Sequence, residues 1–545
     1  MKLIIIGSVA AGTSVAAKAR RNDEEASITL YNADYDISYS ICGIPYYLGG
    51  EVDELDTLTP RDSAWFKKRY NVDIHTRHEV IGIDYAEKTL TVKDLETGEW
   101  KEDTFDKLVL ATGSSPVTPP IPGVDLEHVF HVRTIQHASQ IDRYMQAEQP
   151  KKATIVGGGF IGLELAEQLT EKGLDVTLVQ QDRHVMSHMD EDIASRIEQE
   201  LRDHGVNLLL NETATNITET TVETQSGKEI PSDIVFLAIG VRPNTQLAKD
   251  MGVELGATGA VAVNEKMETN LKDVYAAGDV AESYSLITNQ SIYRPLGSTA
   301  NKMGRIAGDV VTGGELQHRG ILGTGILRVF RMAVAHTGLT ESEAKDSGYD
   351  VEVVHNIKPA SADYLGGKEM VIKAIADRAT GRLLGVQIVG QNGVDKRIDV
   401  FATAITFKAK AEDLFHLDLA YAPPFSTTKD PVMYTGMALH NAITSRNRLI
   451  TPQQLVERVG SGEEIQIIDT RSPKQFEAAH VEGAVNIPLQ KLREDAEQLN
   501  KELPTVTYCN KGVTGNAAQN ILQNLGFTEV YNLSGGNKNY QHIVK

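Results

Sequence analysis

Apolar residues open the chain in short unbroken runs separated by glycine. Residues 2–6 form a β-branched run, followed by a Gly/Ala-rich turn, a helical stretch at 16–21 and a second apolar run at 27–31. Runs of this length bounded by turn residues read as buried strands, and the succession reads as a βαβ unit. The same grammar recurs at 153–156, with a turn at 157–162, a helix through 172 and a strand at 175–179. The runs 108–113 and 234–240 each end in a glycine turn, and 274–279 follows. From about residue 324 the texture changes. Strands are predicted at 326–330, 351–356, 370–376 and 383–389, then a helix at 397–410, which makes an α+β unit extending to about Arg446. A small α/β unit begins at 450, with strands at 465–469, 485–486 and 506–508 and amphipathic helices at 451–459 and 516–525. No Gly/Ser-rich linker precedes it, which predicts that it packs on the body.

Composition narrows what such a chain can do. One core stops growing at about 250 to 300 residues, so 545 residues imply three or four domains. A net charge of -20 argues against a broad nucleic-acid surface, so a polyanionic ligand needs a local basic pocket. No apolar run approaches the roughly 18 to 20 residues that span a bilayer. The apolar run at 3–6 is shorter than the roughly 7-residue core of a signal peptide, so it reads as a first strand. The two cysteines, Cys42 and Cys509, cannot form a disulfide framework, and their scarcity fits a reducing cytoplasm.

Candidate chemistry sits in four places. Gly157-Gly-Gly159-Phe160-Ile161-Gly162 follows a strand and opens a helix, where free N–H groups can cradle a pyrophosphate. Gln180 stands at the next strand end, where an acid usually holds the ribose, so NADH and NADPH both remain open. Gly7-Ser-Val9-Ala10-Ala-Gly12 is a second cradle with valine in place of the middle glycine, and Asn32 stands at its strand end. With Ala111-Thr112-Gly113, Gly240-Val-Arg-Pro-Asn244 and Ala276-Ala-Gly278-Asp279, it resembles the flavin-dependent pyridine nucleotide-disulfide oxidoreductase family over residues 1 to 325. The resemblance implies FAD in the first cradle, with Asp279 on its ribityl chain, and NADH or NADPH in the second.

Ser38-Tyr-Ser-Ile-Cys42-Gly-Ile-Pro-Tyr-Tyr47 has a single thiol where dithiol members carry two. This resembles the coenzyme A-disulfide and coenzyme A persulfide reductase branch. A lone thiolate near a helix N-terminus and a flavin can have a depressed pKa and form a mixed disulfide with an outside thiol. Tyr364 and Tyr421 match tyrosines that the branch places at its active site, Tyr421 reaching across a dimer interface. Lys18, Arg20, Arg21, Ser38, Arg61 and Lys67 are candidates to bind the phosphates of coenzyme A. NADH oxidases and peroxidases of the family also use one cysteine, and are the rival reading. Ile467-Ile-Asp-Thr-Arg471, Val506-Thr-Tyr-Cys509-Asn-Lys511-Gly512 and Ser534-Gly-Gly536 resemble a rhodanese domain, whose loop stabilises a persulfide on Cys509. Lys511 and Thr514 are present, but the arginine frequent near the loop end is missing and Tyr540 replaces a common tryptophan. A degenerate rhodanese fold used for docking, or a sulfur carrier whose turnover is incidental, stays open here.

The expected fold class is α/β: two Rossmann-like nucleotide-binding domains, an α+β dimerisation domain and a C-terminal rhodanese-like domain. The boundaries are FAD-binding 1–115 and 245–323, NAD(P)H-binding 116–244, dimerisation 324–446 and rhodanese 447–545. The expectation is a cytoplasmic, homodimeric flavoenzyme of sulfur metabolism, with no metal, that reduces coenzyme A persulfide or disulfide.

Overall fold

The computed structural model describes residues 1–444 and 447–544, so residue 446, the end expected for the dimerisation domain, and residue 545, the end expected for the rhodanese domain, lie outside the described set. The chain forms two compact units, one of residues 1–182 and 205–323 and one of residues 183–204 and 324–545.

The first unit contains two five-stranded parallel sheets. In one the order is Val274–Ala276, Lys107–Leu110, Lys2–Ile6, Ser27–Tyr31, Asp73–His75. In the other it is Asn207–Leu210, Asp175–Gln180, Lys152–Val156, Ile234–Leu237, Val129–His131. The central strands are covered on both faces, and Leu3, Ile4 and Ile5 are completely buried, as unbroken apolar runs require. The first helix starts earlier than its pattern suggests, running Ala10–Asn22, because the small residues of the turn already belong to it. A helix not anticipated, Gly297–Val310, lies against it. Glycines set that approach: a Cβ on Gly304 would stand 2.4 Å from the Ala11 carbonyl oxygen, and one on Gly308 2.5 Å from that of Val15.

The second unit joins an antiparallel sheet to a parallel one. The antiparallel order is Gly325–Val329, Met332–Gly338, Leu383–Gly390, Glu369–Asp377, Val351–Pro359; the strand Met332–Gly338 was not anticipated. The expected helix at 397–410 runs Val394–Thr406. The parallel order is Arg448–Ile450, Val530–Leu533, Thr505–Tyr508, Gln466–Asp469, Val485–Asn486. Its first helix, Pro452–Gly460, begins with a capping box of Thr451 and Gln454. Among the described residues, no helix is long and apolar enough to cross a membrane.

A buried charge cluster ties the two parts of this unit together. On the helix Glu191–Asp203, the Asp192 carboxylate accepts from Lys373 at 2.9 Å and from His355 Nε2 at 2.6 Å. Lys373 also pairs with Asp190 at 3.1 Å and Glu341 at 2.9 Å. Ser534 Oγ accepts from the His355 backbone N–H at 2.7 Å and lies 3.1 Å from His355 Nδ1, so the last domain is bonded to the antiparallel sheet. Burial would raise the Asp192 carboxyl, but the Lys373 ammonium and then His355 drive it well below the usual aspartate range. Burial would lower the Lys373 pKa, and its three carboxylates raise it instead.

Lys373→Met should therefore strand three carboxylates and destabilise the second unit by about 3 to 5 kcal/mol, read as a lowered unfolding temperature. A depressed carboxyl stabilises the fold above the ordinary aspartate pKa near 4 and loses that contribution as pH falls through its folded value. The gap between wild type and Lys373→Met should accordingly narrow below pH 4.

Candidate functional site

Both glycine turns close backbone on backbone. Gly7 has φ +104° and a Cβ there would meet the Ala111 carbonyl oxygen at 2.1 Å; Gly157 has φ +111° and would meet Ala238 O at 2.4 Å. Cβ atoms on Gly12 and Gly162 would each stand 1.9 Å from the carbonyl oxygen of Gly7 and Gly157 respectively. Gly159 differs. Its φ is −85° and no atom lies within 4 Å of a Cβ built there, so the protein itself does not demand glycine. What glycine leaves free is the space over the N-terminus of the helix Phe160–Glu171, with Phe160 and Ile161 in its first turn. A dinucleotide pyrophosphate fits there. Val9 occupies the corresponding place in the first cradle, capping the helix Ala10–Asn22.

Other features of the first cradle also suit a flavin nucleotide. Ser8 Oγ is buried without a partner. Gly278 (φ +83°) lets the chain come against Ala11, where a Cβ would lie 2.7 Å from the Ala11 methyl. Asp279 accepts from Ser114 Oγ at 3.0 Å and Arg133 at 2.9 Å. Thr112 and Asn244 bond each other's carbonyls at 2.8 and 2.9 Å, and Gly113 O accepts from Asn244 N–H at 3.0 Å, which fixes 111–113 against the turn after Gly240.

The two strand-end amides are bonded within their own turns. Asn32 donates to the carbonyls of Asp34 and Asp36, both at 3.1 Å. Gln180 accepts from Gly158 N–H at 2.8 Å and donates to Asp182 at 2.9 Å. Each amide braces its own turn, and the carboxylate of this strand end is Asp182, two residues beyond the position where an acid is usual.

Cys42 lies in the 3-10 turn Ile41–Gly43, ahead of the six-residue helix Ile44–Gly49. The preceding loop is bonded to the first cradle through Ser38 N–H to Ser8 O at 3.0 Å, and Ser38 itself has φ +50°. The thiol is open to solvent on one side, yet burial by the protein atoms around it is the largest influence and raises its pKa; Glu164 raises it further and Arg133 opposes. Burial thus works against the depressed pKa anticipated for a thiolate beside a flavin. Tyr47 fills the place of a second thiol, and burial followed by Asp142 raises the pKa of its hydroxyl.

Beside this loop and the first cradle is a cavity of about 410 Å³ lined by Arg21, Ser38, Arg61, Trp65, Asn301 and Arg305, among others. Arg61 stacks over the Trp65 ring at 5.1 Å. Three residues expected to bind phosphate are used elsewhere. Arg20 is buried and donates to the carbonyls of Asp23, Glu24, Tyr70 and Asn71. Lys18 pairs with Asp309 at 2.9 Å and Lys67 with Asp73 at 2.8 Å. Asn301 and Arg305 were missed because nothing near Cys42 in sequence announces the helix that carries them.

In the second unit, Tyr364 and Tyr421 are exposed, on loops joined by Ala362 N–H to Pro423 O at 3.1 Å. The fully buried Arg397 anchors both loops, donating to Ala360 O at 2.9 Å and to Asp430 at 2.8 Å. Cys509 follows the strand Thr505–Tyr508, its sulfur accepts from Gly512 N–H at 3.2 Å, and the helix Val513–Asn524 begins after Gly512 at φ +96°. Its carbonyl accepts from Asn537 N–H at 2.8 Å. A cavity of about 500 Å³ opens here, lined by Arg471, Pro488, Cys509, Lys511 and Thr514, among others. Arg471, quoted above only as part of a motif, is clamped by Asp469 at 2.6 and 3.0 Å. Tyr540 is buried in the core of this domain.

Residues 1–292 match the pyridine nucleotide-disulphide oxidoreductase family, 326–431 its dimerisation domain and 451–543 the rhodanese-like domain. The chain belongs to the pyridine nucleotide-disulphide oxidoreductase family, and is an FAD-dependent NAD(P)H oxidoreductase with a C-terminal rhodanese-like domain. It is 39% identical over 445 residues to the NAD(P)H sulfur oxidoreductase (CoA-dependent) of Pyrococcus furiosus, spanning 80% of this chain and 99% of that one. The crystal structure of reduced CoADR-RHD from Bacillus anthracis superposes with a TM-score of 0.97 at 36% identity, covering 100% of this chain and 98% of that one. An NAD-dependent persulfide reductase from A. fulgidus gives 0.91 at 36% identity, covering 99% and 100%.

The two glycines of the second cradle should separate on substitution. Gly162→Ala should disrupt the turn and lower the unfolding temperature. Gly159→Ala should leave the melting temperature and flavin absorbance unchanged while raising the KM for NAD(P)H about tenfold or more, measured by steady-state kinetics.

Proposed function

We propose that the enzyme reduces coenzyme A persulfide, and coenzyme A disulfide, at the single thiol of Cys42, and that Cys509 handles sulfane sulfur. The observation that carries this reading is the arginine-lined cavity beside the loop of a lone thiol: Ser38 lines the cavity four residues before Cys42, and Tyr47 takes the place of a resolving thiol. A substrate bearing a diphosphate and a 3′-phosphate behind a reactive sulfur matches three guanidinium groups, Arg21, Arg61 and Arg305, lining a cavity that Ser38 of the Cys42 loop also lines. The names of the Pyrococcus and Bacillus relatives support the same substrate class.

The first cradle and Asp279 would hold FAD, which would supply the two-electron link between NAD(P)H at the second cradle and the sulfur at Cys42. The chain's own part starts with the Cys42 thiolate, which attacks the substrate's S–S bond. It forms a mixed disulfide and expels hydrosulfide or coenzyme A thiolate; two electrons then reopen the mixed disulfide to two thiolates. The raised thiol pKa calls for a proton acceptor or a nearby positive charge during turnover, and Arg133 is the basic group that already pulls it down. Tyr364, and Tyr421 from a second copy of the chain, donate their hydroxyls to the leaving thiolate. At Cys509 the thiolate takes the outer sulfur of a donor, the donor's S–S bond breaks and its thiolate departs; coenzyme A thiolate then removes that sulfur by the same exchange. Fusion in one chain raises the local concentration of the product.

Cys42→Ser should abolish NAD(P)H-dependent sulfide release from coenzyme A persulfide under anaerobic conditions; retained release defeats the reading. Rapid oxygen consumption without a thiol substrate, untouched by Cys509→Ser, would assign an oxidase instead. Arg305→Ala should raise the KM for coenzyme A persulfide about tenfold or more, the loss of one charge-assisted hydrogen bond.

A further inference from the structure

Two basic side chains, Arg471 and Lys511, line the Cys509 cavity, and each is matched by a carboxylate. Arg471 is buried and its donors are spent inside the protein: Nε and Nη2 bond Asp469 at 2.6 to 3.0 Å, Nη2 also reaches the Ala479 carbonyl at 2.6 Å, and Nη1 holds the Asn510 amide oxygen at 3.2 Å. A buried bidentate pair presents almost no net charge to its surroundings. Lys511, on the active loop itself, pairs with Glu369, and Lys538 pairs with the same carboxylate at 2.7 Å. The backbone N–H of Lys538 donates to the Asn510 carbonyl at 3.1 Å, so Glu369 grips both the loop and the helix Gly536–Ile543 that supports it. Lys538, the cation in surplus, is not part of the cavity wall.

Glu369 does not come from the rhodanese-like domain. It begins the strand Glu369–Asp377 of the antiparallel sheet, opposite Pro359. Burial would raise its carboxyl, but Lys511 and then Lys538 hold it below the usual glutamate range, so it is anionic at neutral pH. Apart from Cys509, the rest of the wall carries no charge, and Pro473, Pro488 and Val513 give it apolar surface. The sulfur accepts from Gly512 N–H at 3.2 Å, so the loop backbone meets the single charge of a thiolate or persulfide. A second charge on an incoming donor finds no unmatched cation among the described residues of the wall.

We infer that Glu369, supplied by the antiparallel sheet, is a positioning residue that cancels the charge of Lys511 and thereby selects the sulfur donor of Cys509: an organic persulfide, whose reacting end carries at most one negative charge, in preference to the thiosulfate dianion. The Cys509 thiolate bonds the outer sulfur of R–S–SH, the bond between the two donor sulfurs breaks, its electron pair leaves with RS⁻, and Cys509 keeps the sulfur as a persulfide. No outside oxidant or reductant enters. The inference rests on the sulfur-handling role proposed for Cys509.

The test uses the flavin-loaded full chain carrying Cys42→Ser, so that Cys509 is its single thiol. The rate of Cys509 alkylation by iodoacetate, an anion, is divided by the rate with neutral iodoacetamide at one pH, a ratio that cancels access and thiolate fraction. Glu369→Gln should raise it about threefold, the effect of one unit charge acting through largely solvated surroundings. Glu369→Asp should keep it, and adding Lys511→Gln to Glu369→Gln should return it to the starting value, because the pair is then removed whole. Loading of Cys509, followed by mass spectrometry, should be faster with 2-hydroxyethyl persulfide than with thiosulfate. Glu369→Gln should shift that preference toward thiosulfate by a further factor of about three, since the two donors differ by at least one charge. An unchanged alkylation ratio in Glu369→Gln, an equal rise in Glu369→Asp, a rise that survives Lys511→Gln, or faster loading by thiosulfate before any change at Glu369 overturns the inference. Absence of added sulfur from both donors defeats the sulfur-handling role itself, and the alkylation ratios, which need no sulfur transfer, tell that failure apart from a failure of Glu369 to set the charge.

Discussion

The two nucleotide cradles and the Cys509 loop stand where a parallel strand ends and a helix begins, and each depends on main chain approaching main chain where no side chain can fit. At Gly7 and Gly12, and again at Gly157 and Gly162, a methyl group would overlap a carbonyl oxygen. At the third turn, Gly515 lies so close to the Tyr508 backbone that a Cβ would stand 3.0 Å from its Cα, and Gly536 closes on Cys509 from the other side. The helices that start at these turns leave their first N–H groups without intrahelical partners. Such a setting suits a pyrophosphate in two of the turns and, on the function proposed above, a sulfur anion in the third. The same steric rule thus underlies both nucleotide chemistry and sulfur chemistry.

Charge is distributed to match. The chain as a whole is strongly acidic, with a net charge of -20, so its basic pockets are local exceptions. In the first unit, three arginines face one cavity while the nearby Arg20, Lys18 and Lys67 are neutralised or buried by structural partners. In the second unit, Asp192 and Lys373 compensate each other in the interior, and the uncompensated positive charge gathers near Cys509. A basic residue's function here is decided by which carboxylate reaches it first.

Much of this was legible in the residues themselves. The cradles could be read because glycine spacing after an apolar run is a local pattern, and the lone thiol because a tyrosine visibly stands where a second cysteine would be. The βαβ grammar of the first part and the α+β texture of the second were visible as unbroken runs alternating with helices and as strands separated by turns. What could not be read was whatever depends on contacts between distant segments. Arg20 looked as available as Arg21, yet one turns to four carbonyls and the other to the cavity. Asn32 and Gln180 looked like ribose ligands because they stand at the customary place, but short amides at a strand end also satisfy their own turns. The helix Gly297–Val310 escaped notice because its glycines, which depress helix propensity, are there for packing. Arg471 escaped for a different reason: its motif was visible but its clamp on Asp469 was not.

That glycine-lined helix has a consequence for how the cavity could diversify. Gly304 and Gly308 set its distance from the helix Ala10–Asn22, while Asn301 and Arg305, close by on the same helix, line the cavity. Width and charge are therefore under separate control. Replacing Arg305 can retune which anionic group is recognised with the walls left in place, whereas any change at Gly304 or Gly308 forces the walls apart and alters which molecules fit at all. Descendants of this scaffold could exchange one headgroup for another through single surface substitutions without reopening the question of fold.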